Sequence, residues 1–281
     1  MSKLTKCTGC GLTAILVAWV GWSAVPFEPS NHVRAQVKGF EIPEGKVIPF
    51  GKDGIEVLTH GPVHESFAQP GTGKLTASVL VRKKPPDPLP ELPPDQKPEG
   101  AHVIWIPGYF AWDDERNDFL WVSGAWRAGP PGRDWVPGYW TEESGGWRWV
   151  SGYWATQGAT AVELLPEPPE PVAEAPPPER RDSAYVPGIW VFRQNRYWWR
   201  PGFWLAYRPG WTWVPACYGW TPAGYVFTDG YWDYDWHRRG VLFAPIYLPP
   251  RYYSGWYYRP QYAVEVDLFL GALFVRSSWN H

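Results

Sequence analysis

Aromatic and aliphatic residues alternate with small or polar ones in residues 101–155 and 185–234, with a period of two rather than 3.6. In residues 135–140 (Trp-Val-Pro-Gly-Tyr-Trp), the first, third and fifth side chains point to one face of an extended chain, and the others point to the opposite face. Proline and glycine in the middle disfavour a helix. The alternation therefore predicts short β-strands that carry aromatic side chains on both faces.

This six-residue pattern recurs eight times, with an aromatic residue first and glycine fourth in nearly every copy. The copies begin at Trp105, Trp121, Trp135, Trp149, Tyr185, Trp199, Trp213 and Phe227. Most neighbouring copies start 14 residues apart, and a step of 36 residues separates two sets of four. We therefore predict an all-β fold of repeated short antiparallel strands and hairpins, joined by proline-rich linkers. The predicted strands have about eight residues, and connections such as 141–146 have about six.

Glycine at the fourth position leaves a slot for a Trp ring, either from the sixth position or from a neighbouring strand. Aromatic pairs across strands then stabilise the sheet. Proline at the third position has no N–H, so one ladder hydrogen bond is missing there. In the first set this position alternates between proline and serine: Pro107, Ser123, Pro137 and Ser151. The alternation predicts strands that meet a gap, an edge or a bulge, and it argues against a continuous closed barrel.

Composition divides the chain into seven predicted segments. In chain order they are a signal peptide (1–35), a small N-terminal β segment (36–82), an extended proline-rich linker acting as a spacer (83–100), the first repeat set (101–155), an extended or disordered Pro/Glu-rich linker (156–184), the second repeat set (185–250) and a C-terminal segment with a strand at 262–270 (251–281). Strands are also predicted at 47–50, 55–58 and 74–82. Two arrangements of the repeat sets stay open: two lobes, or one fold in which the second set docks on the first.

The first 35 residues have the composition of a secretory signal. Lys3 and Lys6 precede an apolar run at 12–25, which is shorter than the ~20 residues that a membrane span needs. Residues 33–35 (Val-Arg-Ala) resemble a cleavage site, so we predict cleavage between Ala35 and Gln36. The sequence thus predicts an exported protein with no transmembrane span after signal removal. An uncleaved membrane anchor is the alternative.

Charge and motifs exclude several functions. The net charge is −2 without a basic block, so no nucleic acid is predicted as a partner. The chain has no nucleophile elbow, phosphate loop, dinucleotide fingerprint or zinc-protease motif, so we predict no catalytic residues, no cofactor and no enzyme activity. Cys7 and Cys10 lie inside the predicted signal, and Cys217 is predicted to be a buried structural thiol.

No metal site is predicted, although three groups of residues have ligand chemistry. Residues 60–64 (His-Gly-Pro-Val-His) hold two histidines, but glycine and proline forbid the helix that would align them, which favours a turn with solvated imidazoles. Asp233, Asp235 and His237 alternate on one strand face, and residues 113–118 form an acidic loop. Both favour solvated polar surfaces over a cation site.

The most specific binding hypothesis concerns the more amphipathic strand face of the first set. Five aromatic residues are predicted to line it: Trp121, Trp135, Tyr139, Trp149 and Tyr153. Their flat faces suit stacking on sugar rings, and their polar edges suit hydroxyl groups. The competing interpretation, which we favour, is that both faces are packed in the core, because an exposed Trp ladder would promote aggregation.

The repeats resemble the bacterial WXXGXW (also written YXWGXW) repeat proteins. Residues 105–119, 200–204 and 239–245 carry the resemblance, together with 93–100 upstream, and it covers about residues 93–276. The seventh copy departs from the pattern, because Ala216 stands where the motif has glycine. The resemblance implies an exported β-repeat protein and supplies no catalytic residues.

These observations predict a non-catalytic structural or interaction scaffold at the bacterial cell envelope or outside the cell. The alternative is a carbohydrate-binding or adhesive module that uses an aromatic strand face. The expected partners are cell-wall or extracellular polysaccharide, or other envelope proteins.

Overall fold

The regular structure is almost entirely β, as the alternation predicts. The computed structural model describes residues 25–26, 46–49, 54–58, 61–68, 73–100, 102–175 and 177–264. Within these ranges the helical elements are two 3₁₀ turns, Trp236–Arg238 and Pro250–Tyr252. None of the helices in this part of the chain has the length and apolar character needed to cross a membrane. The all-β prediction is confirmed.

The strands are short and run in the following chain order. The N-terminal part contains β1 (Val25–Pro26), β2 (Lys46–Val47), β3 (Glu56–Val57) and β4 (Gly73–Lys74). The first repeat set forms β5 (Val103–Ile106), β6 (Tyr109–Asp113), β7 (Asp118–Val122), β8 (Ala125–Ala128), β9 (Arg133–Val136), β10 (Tyr139–Glu143), β11 (Gly146–Val150) and β12 (Tyr153–Thr156). Next come β13 (Ala161–Val162) and β14 (Leu164–Leu165). The second set forms β15 (Ser183–Val186), β16 (Ile189–Arg193), β17 (Arg196–Arg200), β18 (Phe203–Ala206), β19 (Trp211–Val214), β20 (Cys217–Thr221), β21 (Gly224–Thr228) and β22 (Tyr231–Tyr234). The C-terminal part contains β23 (Gly240–Phe243), β24 (Ile246–Tyr247), β25 (Trp256–Tyr257) and β26 (Ala263–Val264).

Two consecutive repeats build one antiparallel hairpin unit, and the described residues contain four of them. Units 1 to 4 span residues 103–128, 133–156, 183–206 and 211–234. In unit 2, β10 pairs with β11 near the turn and β9 pairs with β12 beyond it. Between these pairs, Pro137-Gly138 and Ser151-Gly152 interrupt the ladder, and Pro137 has no N–H to donate. Each repeat therefore contributes two strands of four or five residues, and the prediction of one eight-residue strand is wrong.

The hairpin turns are also tighter than predicted. In unit 2 the turn is residues 144–145, because Glu143 pairs directly with Gly146. In unit 3 it is Gln194 and Asn195, with φ of 50° and 63°. Two consecutive positive φ angles are characteristic of the two-residue turn whose twist suits a hairpin. The six-residue connection predicted at 141–146 is therefore wrong, since the strands continue into it.

The two repeat sets share a core. Ile106 of unit 1, Trp154 of unit 2, and Val214 and Tyr231 of unit 4 form one buried cluster. A second cluster joins unit 3 to unit 4 through Ile189 and its neighbours. Of the two arrangements considered from the sequence, the structure has the one in which the second set docks on the first.

The segments outside the repeats extend the hairpin units. β23 pairs with β8 and β24 pairs with β7, so the C-terminal part covers unit 1. The largest cluster lies there and includes Phe119, Trp121 and Ile246. In unit 4, β14 joins β21 in antiparallel fashion and β4 joins β20 in parallel.

Several sequence-based boundaries change. Of the strand predicted at 74–82, the structure keeps only β4 at its start and an isolated bridge between Val81 and Trp147. Of the predicted signal peptide, only β1 is described, paired with β13, and the predicted cleavage point at Ala35 and Gln36 lies outside the described residues. The strand predicted at 262–270 is described only as β26.

The two predicted linkers pack against the hairpin units. Leu89 and Leu92 are buried, and the Leu92 N–H donates to the Tyr258 carbonyl at 2.8 Å. In the second linker, Leu165 is buried against units 3 and 4. The spacer interpretation of residues 83–100 is therefore wrong: the apolar residues between the prolines make this segment part of the core.

Candidate functional site

In seven of the eight repeats, the first ring packs on the glycine of the other repeat in the same hairpin unit; the exception is Phe227, whose partner repeat has Ala216 in place of glycine. In unit 2, a Cβ added to Gly138 would lie 2.4 Å from Cζ2 of Trp149, and one added to Gly152 would lie 2.5 Å from Cζ2 of Trp135. Backbone oxygens stand almost as close, so the strands have no room to shift. This reciprocal contact explains the Trp and Gly positions of the motif, because a larger residue would push the crossing strands apart.

The same contact recurs in the other units. The pairs are Gly108 with Trp121, Gly124 with Trp105, Gly188 with Trp199, Gly202 with Tyr185, and Gly230 with Trp213. The sequence predicts a slot beside glycine for a Trp from a neighbouring strand, and the structure identifies that Trp as the first residue of the partner repeat.

In unit 1 the crossing forms a binding site for one carboxylate. Glu91 accepts hydrogen bonds from Trp121 Nε1 at 2.8 Å, from the Gly108 N–H at 2.8 Å and from the Gly124 N–H at 3.0 Å. Both motif glycines thus donate to the same side chain. Gly108 donates to Oε2, and Gly124 donates to Oε1, which also accepts from the indole. We call this arrangement the carboxylate site of the hairpin unit.

Unit 2 repeats the arrangement with a carboxylate from a different part of the chain. Glu65 accepts from Trp149 Nε1 at 2.7 Å and from the Gly152 N–H at 2.9 Å. The site also contacts unit 1: the Glu65 N–H donates to the Tyr109 hydroxyl at 3.3 Å, and the Tyr109 ring stacks on Trp149 with centroids 4.7 Å apart. Glu65 therefore helps to fix unit 1 against unit 2.

Unit 3 holds Glu174 in the same way. Its carboxylate accepts from Trp199 Nε1 at 2.8 Å, from the Tyr185 hydroxyl at 2.8 Å and from the Gly202 N–H at 3.1 Å. Here the first residues of both repeats donate, one to each carboxylate oxygen. In unit 4 the Gly230 N–H instead binds the side chain of the preceding residue, Asp229, at 2.8 Å.

Burial and hydrogen bonding act in opposite directions on the pKa values of the three carboxylates. Burial raises the pKa of Glu65 and of Glu91 to about 7, although the glycine and Trp donors act in the opposite direction. Glu174 lies at the surface, where the hydrogen bonds from Trp199 and Tyr185 outweigh desolvation and lower its pKa. The donors thus favour the ionised carboxylate at all three sites, and burial outweighs them at Glu65 and Glu91 but not at Glu174.

The three glutamate-bearing segments are anchored to different extents. Glu91 (4% exposed) lies between buried Leu89 and Leu92. Glu65 lies between His64 and Ser66, both buried, and the Ser66 carbonyl accepts from Arg127 Nε at 2.8 Å. In residues 169–175, by contrast, Glu174 is the only residue that is not exposed.

The five residues predicted to line one binding face do not share an open surface. Trp121 is fully buried and Trp149 is 9% exposed, because each lies across a glycine. Trp135 and Tyr153 are partly buried, and Tyr139 is 52% exposed. In this conformation Trp121 and Trp149 are closed to a stacking ligand, whereas binding through Tyr139 stays a prediction.

Two groups predicted to be solvated are buried instead. His64 Nε2 donates to the Pro107 carbonyl at 3.0 Å, and burial lowers its pKa to about 4. His60 lies outside the described residues. Asp233 is buried, with Oδ2 2.5 Å from Arg127 Nη2 and 3.1 Å from Arg239 Nε. The prediction of solvation is wrong for His64 and Asp233, because distant segments supply the partners of these side chains, whereas His237 is exposed as predicted.

The other candidate ligands are used within the fold. Asp235 accepts from the Arg238 N–H at 3.2 Å at the start of a 3₁₀ turn, and Asp113 is buried and accepts from the Tyr247 hydroxyl. Cys217 is buried as predicted, and burial raises its pKa to about 12. No group of three or more potential metal ligands occurs in the described part of the chain.

Sequence reasoning missed the glutamates, although the chain contains a signal for two of them. Glu91 and Glu174 are each followed, one residue later, by two prolines: Glu-Leu-Pro-Pro and Glu-Ala-Pro-Pro. Each lies in a segment interpreted as a linker. Glu65 has no such neighbours.

The fold and its sites define a class: an all-β repeat protein built from hairpin units with reciprocal Trp–Gly contacts and carboxylate sites. The chain carries the WXXGXW repeat, since that family matches residues 103–127, 135–155 and 223–239, which confirms the resemblance predicted from the motif. No curated protein and no solved structure matches the chain.

Proposed function

We propose that this protein is a non-catalytic scaffold whose hairpin units hold glutamate-bearing segments from outside the repeats through the carboxylate site. The observation that carries the proposal is the recurrence of one donor set, indole and glycine N–H groups, around Glu65, Glu91 and Glu174. These glutamates come from separate segments, and all three are held in the same way, although only Glu91 and Glu174 are followed by x-Pro-Pro.

The chemistry of the site suits holding a segment rather than transforming a substrate. Every polar group that faces the carboxylate is a donor, and in unit 1 both carboxylate oxygens are already hydrogen-bonded. Hydrogen bonds to a charged partner contribute about 1.5–3 kcal/mol each. When Glu91 is ionised, the three hydrogen bonds on its side chain oppose the cost of burying the charge and help to hold the segment at 89–92.

A substitution that keeps the ring tests this role. Trp121→Phe removes the indole N–H and keeps an aromatic side chain at this position. We expect faster hydrogen exchange at Leu92, whose N–H bond to Tyr258 depends on a docked Glu91 segment. The control is Trp198→Phe. This substitution makes the same chemical change outside a carboxylate site, at a residue that is 46% exposed. Equal exchange in both variants would rule out the holding role.

The proposal places the protein outside the cytoplasm, at the cell envelope or beyond it. Lys3, Lys6 and the apolar run at 12–25 support this placement. The test is expression of the full chain with a C-terminal tag in a bacterium, followed by cell fractionation and intact mass measurement. A mature protein that begins at Gln36 in the exported fraction is expected, and uncleaved protein in the cytoplasm would contradict it.

The exposure of Tyr139 supports a second candidate function, carbohydrate binding. Tyr139 is 52% exposed, and the pKa of Tyr153, the fifth residue of the partner repeat, is raised by burial and, to a lesser extent, by Tyr139. Two neighbouring tyrosines form a small platform of the kind that stacks on sugar rings. Tryptophan fluorescence against a panel of envelope polysaccharides tests this candidate, and a response that survives Tyr139→Ala would remove the platform from consideration.

A further inference from the structure

The Glu174 segment, residues 169–175, differs from the other two because polar contacts alone hold it. The Glu170 carbonyl accepts from Trp190 Nε1 at 2.8 Å, and the Glu170 carboxylate lies 3.1 Å from Lys74 Nζ. The remaining polar contact is that of the Glu174 carboxylate with Trp199, Tyr185 and Gly202. Val172, the bulkiest apolar side chain of the segment, is 44% exposed. Within residues 169–175 no apolar side chain is buried, and the nearest buried residue is Pro168, directly upstream of the segment.

Both ends of this segment are fixed independently of the carboxylate site. Upstream, β14 is paired with β21 of unit 4, and downstream, β15 is paired with β18 of unit 3. The chain between them can therefore leave the site while the strands on either side stay paired. Release would expose the Trp199 and Tyr185 donors and the Gly202 N–H together.

We infer that the carboxylate site of unit 3 is a peptide-binding site, whose ligand is an extended glutamate segment followed by x-Pro-Pro on a separate polypeptide. The inference rests on the proposed holding function and adds a ligand class to it. In the absence of such a partner, the Glu174 segment occupies the site and competes with the ligand.

The ligand class follows from what the donors recognise. Trp199 Nε1 and the Tyr185 hydroxyl each reach one carboxylate oxygen, so a planar carboxylate on a side chain of glutamate length fits. Proline on the C-terminal side keeps a peptide extended and lowers the entropy lost on binding. The chain itself has this sequence at both Glu91 and Glu174.

The experiment uses the full chain with Glu174→Ala, which empties the site, and a synthetic peptide with the sequence of residues 170–178. We expect the peptide to bind Glu174→Ala, measured by calorimetry, and to bind the unsubstituted protein at least about tenfold more weakly, because a tethered competitor has a millimolar effective concentration. A peptide with glutamine at the position of Glu174 should lose at least about tenfold in affinity. If Glu174→Ala fails to fold, Glu174→Gln replaces it with nearly the same volume.

Donor substitutions identify the site. Adding Trp199→Phe to Glu174→Ala should abolish binding, whereas adding Trp198→Phe should leave it unchanged. Light scattering over a range of protein concentrations then tests the source of the ligand. A rise in mass that Trp199→Phe removes would identify a second copy of this chain, and constant mass with peptide binding would identify another protein.

Two failures are distinguishable. If Glu174→Ala speeds exchange of the Trp199 indole proton but no peptide binds, the site holds its own segment only, and the inference is overturned while the proposed function stands. If that exchange is unchanged, the carboxylate site of unit 3 does not hold the segment, and both fail. Equal affinity for the glutamate and glutamine peptides would also overturn the inference.

Discussion

Trp149 lies across Gly138, and a Cβ on that glycine would stand 2.4 Å from Cζ2 of the indole. The contact joins two consecutive repeats at the point where neither strand has ladder hydrogen bonds. It is the reason why the motif combines its largest residue with its smallest. Because the Val150 carbonyl oxygen would also lie within 2.6 Å, neither the ring nor the backbone can yield cheaply.

Gly138→Ala should therefore destabilise the protein by about 3 kcal/mol, the upper part of the range for overpacked sites. Chemical denaturation followed by tryptophan fluorescence measures the free energy of unfolding. The control is Gly219→Ala, a strand glycine whose added Cβ would meet nothing closer than 3.9 Å. We expect a change within about 0.5 kcal/mol for the control. Equal effects at both positions would show that the Trp–Gly contact is not the cause.

The buried carboxylates should make the free energy of unfolding depend on pH. Comparison with Glu91→Gln isolates the part that is due to Glu91. The pKa of Glu91 is about 7 in the folded protein and 4.5 as its ordinary value, so the folded state binds its proton more tightly. The stabilisation is complete below pH 4.5 and is lost as pH rises through 7. The free energy of unfolding relative to Glu91→Gln should thus fall by about 3 kcal/mol between pH 4.5 and pH 8.

This difference removes the contribution of His64, which has the opposite sign and is common to both proteins. The pKa of His64 is lowered to about 4, so its contribution is complete above 6.5 and is lost as pH falls. If the free energy of unfolding of the unsubstituted protein instead rose with pH relative to that of Glu91→Gln, the Gly108, Gly124 and Trp121 donors would outweigh burial.

The carboxylate of Glu174 should titrate in another range. Hydrogen bonds from Trp199 and Tyr185 lower the pKa of Glu174 below its ordinary value of 4.5. The indole N–H resonance of Trp199 should therefore change with a midpoint below pH 4.5, while those of Trp121 and Trp149 change near pH 7. Nuclear magnetic resonance with ¹⁵N-labelled tryptophan measures all three in one sample. A single midpoint for the three indoles would contradict the effect of burial.

Local pattern was sufficient to predict the strands, the hairpins and the slot beside glycine, because these depend on residues within one or two repeats. It could not predict which side chain fills the donor set, since Glu65 lies 84 residues from Trp149 and Glu91 lies 30 from Trp121. Strand length was overestimated for a related reason. Alternation continues through Pro-Gly, whereas hydrogen bonding across the partner strand does not.

Proline content was a poor guide to packing. Residues 88–92 alternate proline with leucine and glutamate, a composition typical of spacers, yet Leu89 and Leu92 are buried. Proline keeps this segment extended, so its apolar side chains and Glu91 reach unit 1 with little loss of backbone entropy. Likewise, Asp233 has a polar strand pattern, and only the tertiary fold brings two arginines to it.

Arg127 and Asp233 join unit 1 to unit 4 through a fully buried ion pair, and Arg239 binds the same carboxylate oxygen. Asp233→Ala should therefore cost about 3–5 kcal/mol, since it leaves two buried guanidinium groups without their counter-charge. The exposed pair of Lys83 and Asp118, 2.5 Å apart, provides the control: Lys83→Ala should change stability by less than about 1 kcal/mol. Denaturant titrations at two salt concentrations measure both variants. Because salt screens surface charges far more than buried ones, the Lys83 effect should shrink with salt, whereas the Asp233 effect should persist. If Asp233→Ala were no more destabilising than Lys83→Ala, the docking of the second repeat set on the first would have to rest on apolar contacts alone, such as that of Tyr231 with Ile106.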